Sequence, residues 1–357
     1  MYIIGKTGTG KSTLISHLIK SDIQNNEGFA LIDPHGDLAE KILRMIPDNR
    51  KDDVMYFNPG DRDHKISFNI LEYKKPEDKY LVASGLISIM KKLWAEFWGP
   101  RLEHILRNTV LTILEFPQMG TLFWIPKLLT DDYFRKEMIC KVLNKQVKEF
   151  WFLEFEKYSP AFRKEAVSPI LNKVGQFLSN PHIARIFTEP KSSFDIRDIM
   201  DNGKIFIANL AKGKIGEDNA TLLGAMLTTK MELTALSRAN IPENGRKDFY
   251  LYADEFPCYI TESFSSALSQ VRKYGLCLIL ANQYLNQLDD KTRGAIFGNV
   301  GTIISFRVGA EDAEYLASEF YPEFNKNDFI DLPYYHIYLR MMINGVVSKG
   351  FSGRVIN

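Results

Sequence analysis

The chain has 357 residues, of which 45% are hydrophobic and 25% charged, and its formal net charge is +1. This length and composition suit a globular protein with a sizeable core, either one large α/β domain with an insertion or two domains. They exclude a global basic field, so any contact with nucleic acid has to come from local patches. The three cysteines, Cys140, Cys258 and Cys277, are odd in number and lack metal-ligand spacing. That pattern predicts buried thiols in a reducing compartment. No apolar run approaches the length of a membrane span and no secretory signal precedes the first strand, so the chain reads as soluble and cytoplasmic.

Tyr2, Ile3 and Ile4 predict the end of a buried strand. Directly after it, Gly5, Lys6, Thr7, Gly8, Thr9, Gly10, Lys11 and Ser12 match the pattern G-x-x-x-x-G-K-[ST]. Beyond Thr13, the spacing of Leu14, Ile15, Leu18 and Ile19 is helical. Strand, glycine loop and helix in that order are the setting a phosphate-binding loop requires. Gly8 and Gly10 let backbone N–H groups turn inward with no Cβ in the way, and the helix N-terminus adds partial positive charge. Lys11 then reaches the β- and γ-phosphates of a nucleotide, and the Ser12 hydroxyl ligates Mg²⁺. Such a strand sits mid-sheet in most folds, yet almost nothing precedes it. The pattern predicts an upstream region that was trimmed, lost or is supplied elsewhere.

The run 29–33 predicts a second buried strand, stopped by Pro34, His35 and Gly36. A helix over 37–46 follows and Pro47 ends it. The run 54–57 is a third strand, closed by Asn58, Pro59 and Gly60. Strands and helices alternating over short connections predict a mainly parallel sheet flanked by helices. From about residue 74 to 198 the strand runs vanish. Amphipathic helices are predicted over 80–97, 102–116, 124–129, 132–140, 147–158 and 162–178. All four tryptophans, Trp94, Trp98, Trp124 and Trp151, fall here, and they predict the core of an all-α insertion rather than a base-stacking platform. A slight excess of basic residues fits a polyanion partner and a solvated mixed-charge surface equally.

The α/β pattern resumes with a strand over 204–208, a loop of Lys212, Gly213, Lys214 and Gly216, and a long helix to about 238. A strand over 249–253 ends in Asp254 and Glu255. A helix over about 263–273 leads to a strand over 276–280, ending at Asn282 and Gln283. Next come a helix near Lys291, a strand over 302–306 ending at Arg307, and a helix over 311–320. Asn344-Gly345, between the β-rich run 335–343 and residue 346 onward, predicts a C-terminal hairpin.

An acid that closes a buried strand, as Asp254 does, can orient the hydration shell of Mg²⁺. A second carboxylate beside it, Glu255, can polarise or deprotonate an attacking water, which means hydrolysis. In a parallel sheet Gln283 shares that edge, where its amide holds the water or senses the γ-phosphate. Arg272 and Arg307 lie near element ends. Each is either a finger inserted into a neighbouring subunit's nucleotide or an ordinary surface arginine, and spacing alone does not choose.

The motifs IIGKTGTGKST, ALIDPHGDLAEKIL, YADEF, SQVRKYGLCLILANQYLNQL and GNVGTIISFRVG together resemble the FtsK–HerA superfamily of P-loop pumping ATPases. Within it they are most similar to the conjugative coupling-protein (TraG/TraD-like) branch of type IV secretion. The resemblance implies a RecA-like P-loop NTPase: a nucleotide-binding domain over 1–73 and 199–357, interrupted by an all-α insertion over 74–198. It makes Lys11 and Ser12 the Walker A pair, and Asp254 and Glu255 the Walker B pair. ATP and Mg²⁺ are the implied cofactors, the cation held by Ser12 and Asp254. Lys11, Glu255, Gln283 and Arg272 are the implied catalytic set. Arg272, within VRKYG, matches the arginine that acts in trans, and Arg307 is second choice. Loops bearing Lys212 and Lys214, or His35 and Asp37, would face a pore or a neighbour.

Members of that superfamily act as hexameric rings that thread DNA and hydrolyse ATP between subunits. The implied partners are therefore DNA and further copies of this chain, with a relaxase or secretion-channel components beyond them. Coupling proteins often carry a membrane-spanning N-terminal region, and this sequence departs from that pattern. A place at the inner face of the membrane would then come through partners or a missing upstream region. The resemblance implies an ATP-driven DNA translocase. Two alternatives stay open: a secretion ATPase powering pilus or protein export, and a nucleotide-gated docking module.

Overall fold

The computed structural model describes residues 1–356 apart from 62 and 64. It divides into two compact units, one of residues 1–57, 196–213 and 234–357, the other of residues 58–195 and 214–233. The first unit is built on a single sheet. Seven strands form its parallel part: β1 (Tyr2–Ile4), β2 (Gly28–Asp33), β3 (Val54–Phe57), β4 (Ile205–Asn209), β5 (Phe249–Ala253), β6 (Leu276–Asn282) and β7 (Thr302–Ser305). They lie in the order β7-β1-β6-β5-β2-β4-β3, each parallel to its neighbours.

Parallel strands are covered on both faces, so their sequences are continuous apolar runs rather than alternating ones. Every residue of β1, β2 and β4 is buried. The helices α1 (Lys11–Gln24) and α2 (Asp37–Met45) cover one face. Ile15, Ile19 and Ile23 of α1, with Leu38, Ala39 and Ile42 of α2, pack against Ile3, Phe29, Leu31, Ile205 and Ile207. Because the strands run the same way, their carboxyl ends emerge on one edge. The register puts Ile4 opposite both Asn282 and Ser305, and Ile32 opposite Ala253. Gly5, Asp33, Asp254 and Gln283 therefore leave the sheet side by side.

The expected C-terminal hairpin is present. β8 (His336–Ile343) runs antiparallel to β7 and turns at Asn344 and Gly345, both with positive φ, into β9 (Val346–Val347). Positive φ at both turn positions is what favours Asn-Gly there. The return strand breaks and resumes as β10 (Phe351–Arg354), antiparallel to β8. Its residues FSGR alternate in no way that the sequence could signal.

The second unit is helical. Trp94 and Trp151 are fully buried, Trp98 and Trp124 half-buried. Trp98 packs on Trp94, Trp124 packs between Phe116 and Phe134, and the indole of Trp151 donates to Thr112 Oγ1 at 2.8 Å. The tryptophans thus serve packing, as the sequence predicts. The single helix expected over 147–158 is instead an α-turn (Lys145–Glu149), a π-turn (Phe150–Glu154) and a 3-10 turn (Phe155–Lys157). At about 100° per residue, Phe155 would stand roughly 140° round an α-helix from Phe150. The wider turn lets Phe150, Trp151 and Phe155 bury together, with ring centroids 4.9–5.9 Å apart.

Two other expectations are corrected. The loop at 212–216 is one helical turn, Lys212–Ile215, stopped by Gly216 at φ 88°. The cysteines are not all buried: Cys140 is exposed and Cys258 and Cys277 are intermediate. In the helix Asp132–Lys141 the inward positions belong to Met138 and Ile139, which leaves Cys140 outside. Among the described residues no helix is long and apolar enough to cross a membrane.

The helix Glu217–Ser237 carries a stability penalty that can be measured. Glu232 is buried, its Oε2 has no hydrogen-bond partner, and burial pushes its carboxyl up from 4.5 to about 7. A carboxyl whose pKa rises on folding takes up a proton in the folded chain, so stability falls as pH climbs from 4.5 through about 7. Glu232→Gln keeps the shape and removes the charge. It should raise the melting temperature at pH 8, by the equivalent of about 2–3 kcal/mol, and do little at pH 4.5. Thermal denaturation at the two pH values checks this, and equal effects at both would contradict it.

Candidate nucleotide site

The loop leaves β1 at Gly5, where a Cβ would lie 2.5 Å from that of Phe306, so a side chain has no room. Gly8 (φ 78°) and Gly10 (φ 119°) take the left-handed conformation that glycine adopts freely. Between them Thr9 turns inward and its hydroxyl donates to the Lys6 carbonyl at 2.7 Å, while Lys6, Thr7 and Gly8 are exposed. Gly10 is the N-cap of α1 and no side chain caps that helix, so its first N–H groups remain for an anion.

Lys11 is 7% exposed. Its ammonium donates to the carbonyls of Gly5 and, at 3.2 Å, Lys6. Burial lowers its pKa, and the nearby Asp254 and Glu255 partly restore it. A phosphate entering the loop would be a better partner than two carbonyls for that charge. Ser12 is exposed at the start of α1.

The acids sit at the ends of β2 and β5. Asp33 accepts from the N–H groups of His35 and Ala39, each at 2.9 Å, which fixes the turn into α2. Asp254 is buried beside it. Burial, the Asp33 charge and the Glu255 charge push its carboxyl up to about 6, against the pull of Lys11 and His35. A buried carboxyl held up by negative neighbours is a place where a divalent cation relieves the strain on charge. A carboxylate and a hydroxyl are oxygen donors of the kind that Mg²⁺ accepts when nucleotide phosphates supply the rest. Among the described residues no group of three or more His, Cys, Asp or Glu is arranged to hold a metal.

Glu255 is buried and has φ 50°, uncommon for a residue with a Cβ and worth about 1–3 kcal/mol of strain. The Gln283 amide nitrogen donates to Glu255 Oε1, and the Thr7 hydroxyl donates to Gln283 Oε1 at 3.0 Å. A hydrogen-bonded chain therefore runs from the glycine loop through Gln283 to Glu255.

The two arginines lie on different edges. Arg272 is exposed on the 3-10 turn Arg272–Tyr274 ahead of β6. The length of β6, roughly 20 Å, separates it from Gln283 at the other end. It is not brought together with Lys11 or Glu255 of the same chain. Arg307 is beside the loop: its carbonyl accepts from Lys6 N–H at 2.9 Å, and its guanidinium lies 4.3 Å from the Tyr334 ring centroid. Lys212 N–H donates to the Pro34 carbonyl at 3.0 Å, which ties the turn bearing it to the turn bearing His35.

Sequence reasoning missed three residues here. In the sequence Asp33 marks only the end of a strand, and its place beside Asp254 follows from the pairing of β2 with β5. Tyr335 covers Gly10 with its ring, and its N–H donates to the Thr9 carbonyl at 3.0 Å. Gln287 donates to Glu255 Oε2 at 3.5 Å. Neither Tyr335 nor Gln287 belongs to a spacing that announces it.

A parallel sheet with a glycine loop, a buried lysine and adjoining acids on its carboxyl edge defines a P-loop protein of the RecA-like class. The model of the type IV secretion-system coupling protein DNA-binding domain matches residues 1–321, and the chain belongs to that family. Among solved structures it is similar to the bacterial conjugative coupling protein TrwBΔN70 in its unbound form. There the identity is 18% and the TM-score 0.68, over 100% of this chain and 84% of that one. TrwB in complex with the ATP analogue ADPNP matches at 18% identity and TM-score 0.69, over 99% and 84%. VirB4 of Thermoanaerobacter pseudethanolicus matches at 13% identity and TM-score 0.65, over 97% and 87%. At these identities the likeness is one of fold. No curated protein matches the chain.

Proposed function

We propose that the chain is an ATP-hydrolysing DNA translocase of the coupling-protein type, working as a hexameric ring with a nucleotide at each seam between copies. The observation that carries the reading is the hydrogen-bonded chain Thr7–Gln283–Glu255 on the edge that also bears Lys11 and Asp254. Such a chain can report an occupied loop to the acid that activates water. Family membership supports DNA as the partner. TrwB has been solved with ADPNP and also with ADP and Mg²⁺, which supports ATP and Mg²⁺ as the cofactors.

In this reading residues 1–73 and 199–357 handle the nucleotide and 74–198 form the all-α insertion. The loop N–H groups from Gly5 to Thr13 cradle the phosphates, and Lys11 moves from the Gly5 and Lys6 carbonyls onto phosphate oxygens. Ser12 and Asp254 hold Mg²⁺, which supplies positive charge against the charge developing on the phosphates. Gln283 orients the attacking water and Glu255 takes its proton, giving ADP and phosphate. Arg272 reaches the nucleotide of the neighbouring copy.

Turnover by the purified chain should rise several-fold with saturating DNA, and the stimulation should weaken as salt increases, because phosphate contacts release counterions. Turnover that ignores DNA would replace this reading with a secretion ATPase that powers export.

A further inference from the structure

We propose that Gln287 is a positioning residue for hydrolysis, one that sets Glu255 and Gln283 together; the proposal rests on the reading of Glu255 as the group that activates water. Gln287 closes the 3-10 turn Leu285–Gln287, which is separated from Gln283 at the end of β6 only by its N-cap Tyr284. Its side-chain oxygen accepts from the backbone N–H groups of Gln283 at 3.0 Å and Tyr284 at 3.2 Å. The chain is thereby folded back, and the amide nitrogen of the same side chain donates to Glu255 Oε2 at 3.5 Å. The other carboxylate oxygen already accepts from Gln283. One side chain thus fixes the backbone that carries Gln283 and also holds the carboxylate that Gln283 holds.

The chemistry asks for glutamine. Two backbone N–H groups need an acceptor and a carboxylate needs a donor, and at neutral pH an uncharged amide supplies both from one group. The turn is braced from its other side by the helix Ala310–Glu319. Leu285 N–H donates to the buried Asp312 Oδ1 at 3.0 Å, and the Asn286 amide donates to Glu311 Oε2 at 2.9 Å. Asn282 adds a bond from its own amide to the Tyr284 carbonyl at 2.9 Å. The turn is therefore held at both ends, and Gln287 is its link to the acid. Without that link Glu255 keeps a single tie, to a glutamine whose own backbone has lost its cap. A base that wanders from its water by a fraction of an ångström still binds nucleotide but turns it over slowly.

Two substitutions in the full chain test this, with Glu255→Gln as the reference. Gln287→Met keeps the length and removes both functions. It should lower kcat by about 10- to 100-fold, the size of loss known for residues that orient metal ligands, with ADP affinity and KM nearly unchanged. Gln287→Glu keeps an oxygen for the two N–H groups but sets a like charge against Glu255. It should keep ADP binding in the folded fraction and lose at least as much kcat, while the like charges lower the melting temperature somewhat. A kcat within about threefold of the unaltered chain in either variant would overturn the proposal. So would a loss that only follows ADP binding or the folded fraction, since that marks a purely structural role. If Gln287→Met does not fold, Gln287→Glu decides alone. Should Glu255→Gln abolish turnover while the Gln287 variants work normally, Gln287 alone loses its role. Should Glu255→Gln leave turnover intact, the reading beneath the proposal fails and takes it down as well.

Discussion

Glu255→Gln is expected to bind ATP about as tightly as the unaltered chain and to hydrolyse it about 10²–10⁴-fold more slowly, the range a lost general base accounts for. The amide matches the carboxylate in size, and its oxygen can still accept from Gln283, which now donates to Glu255 Oε1. The left-handed backbone at Glu255 and the Asp254 carbonyl held by the Tyr259 hydroxyl at 2.6 Å are untouched by the change. The change removes the capacity to take a proton from water, and with it one acceptor, because an amide nitrogen then stands where Oε2 accepts from Gln287 at 3.5 Å. Binding by titration and hydrolysis in a single turnover separate the two effects. Turnover close to that of the unaltered chain would remove Glu255 from the chemistry, whereas lost turnover with cellular activity intact would favour a docking module whose hydrolysis is incidental.

Arg272→Ala should likewise spare nucleotide binding and should cost about 10³–10⁵ in turnover, as the loss of an arginine finger does. The expectation follows from where the side chain is. It stands exposed ahead of β6, while Gln283 and the glycine loop lie at the far ends of β6 and β1. An arginine there stands about a strand's length from its own glycine loop, which is what a finger offered to a neighbour requires. Arg307 offers the contrast: it adjoins its own loop and stacks on Tyr334. A large loss in Arg307→Ala, with Arg272→Ala unimpaired, would move the finger to Arg307.

Much of the fold could be read from the sequence because parallel strands advertise themselves. FALID, IFIA and FYLYA are buried on both faces and so carry unbroken apolar runs between turn residues. The glycine loop was legible for a different reason, since its pattern states a backbone need that few other residues meet. What was not legible depends on geometry that no local pattern records. The π-turn at Phe150–Glu154 comes from three aromatic rings seeking one side of a helix. The stretch 214–233 follows β4 in the chain, yet it packs with the helical unit, as Gly85 against Thr229 and Leu233 illustrates. Asp33 gains its meaning only from the register that sets β2 beside β5. Gln287 gains its meaning only from a turn that points it back at Glu255.

Mixing two inactive variants tests directly whether the nucleotide site is shared between copies. Arg272→Ala copies retain Glu255 but lack the arginine offered to a neighbour, and Glu255→Gln copies are the reverse. Combined in equal amounts, with ATP and DNA present, they should recover a measurable fraction of ATP turnover, because some seams pair an intact acid with an intact arginine. Turnover in the mixture no higher than the sum of the two separate variants would contradict the shared site.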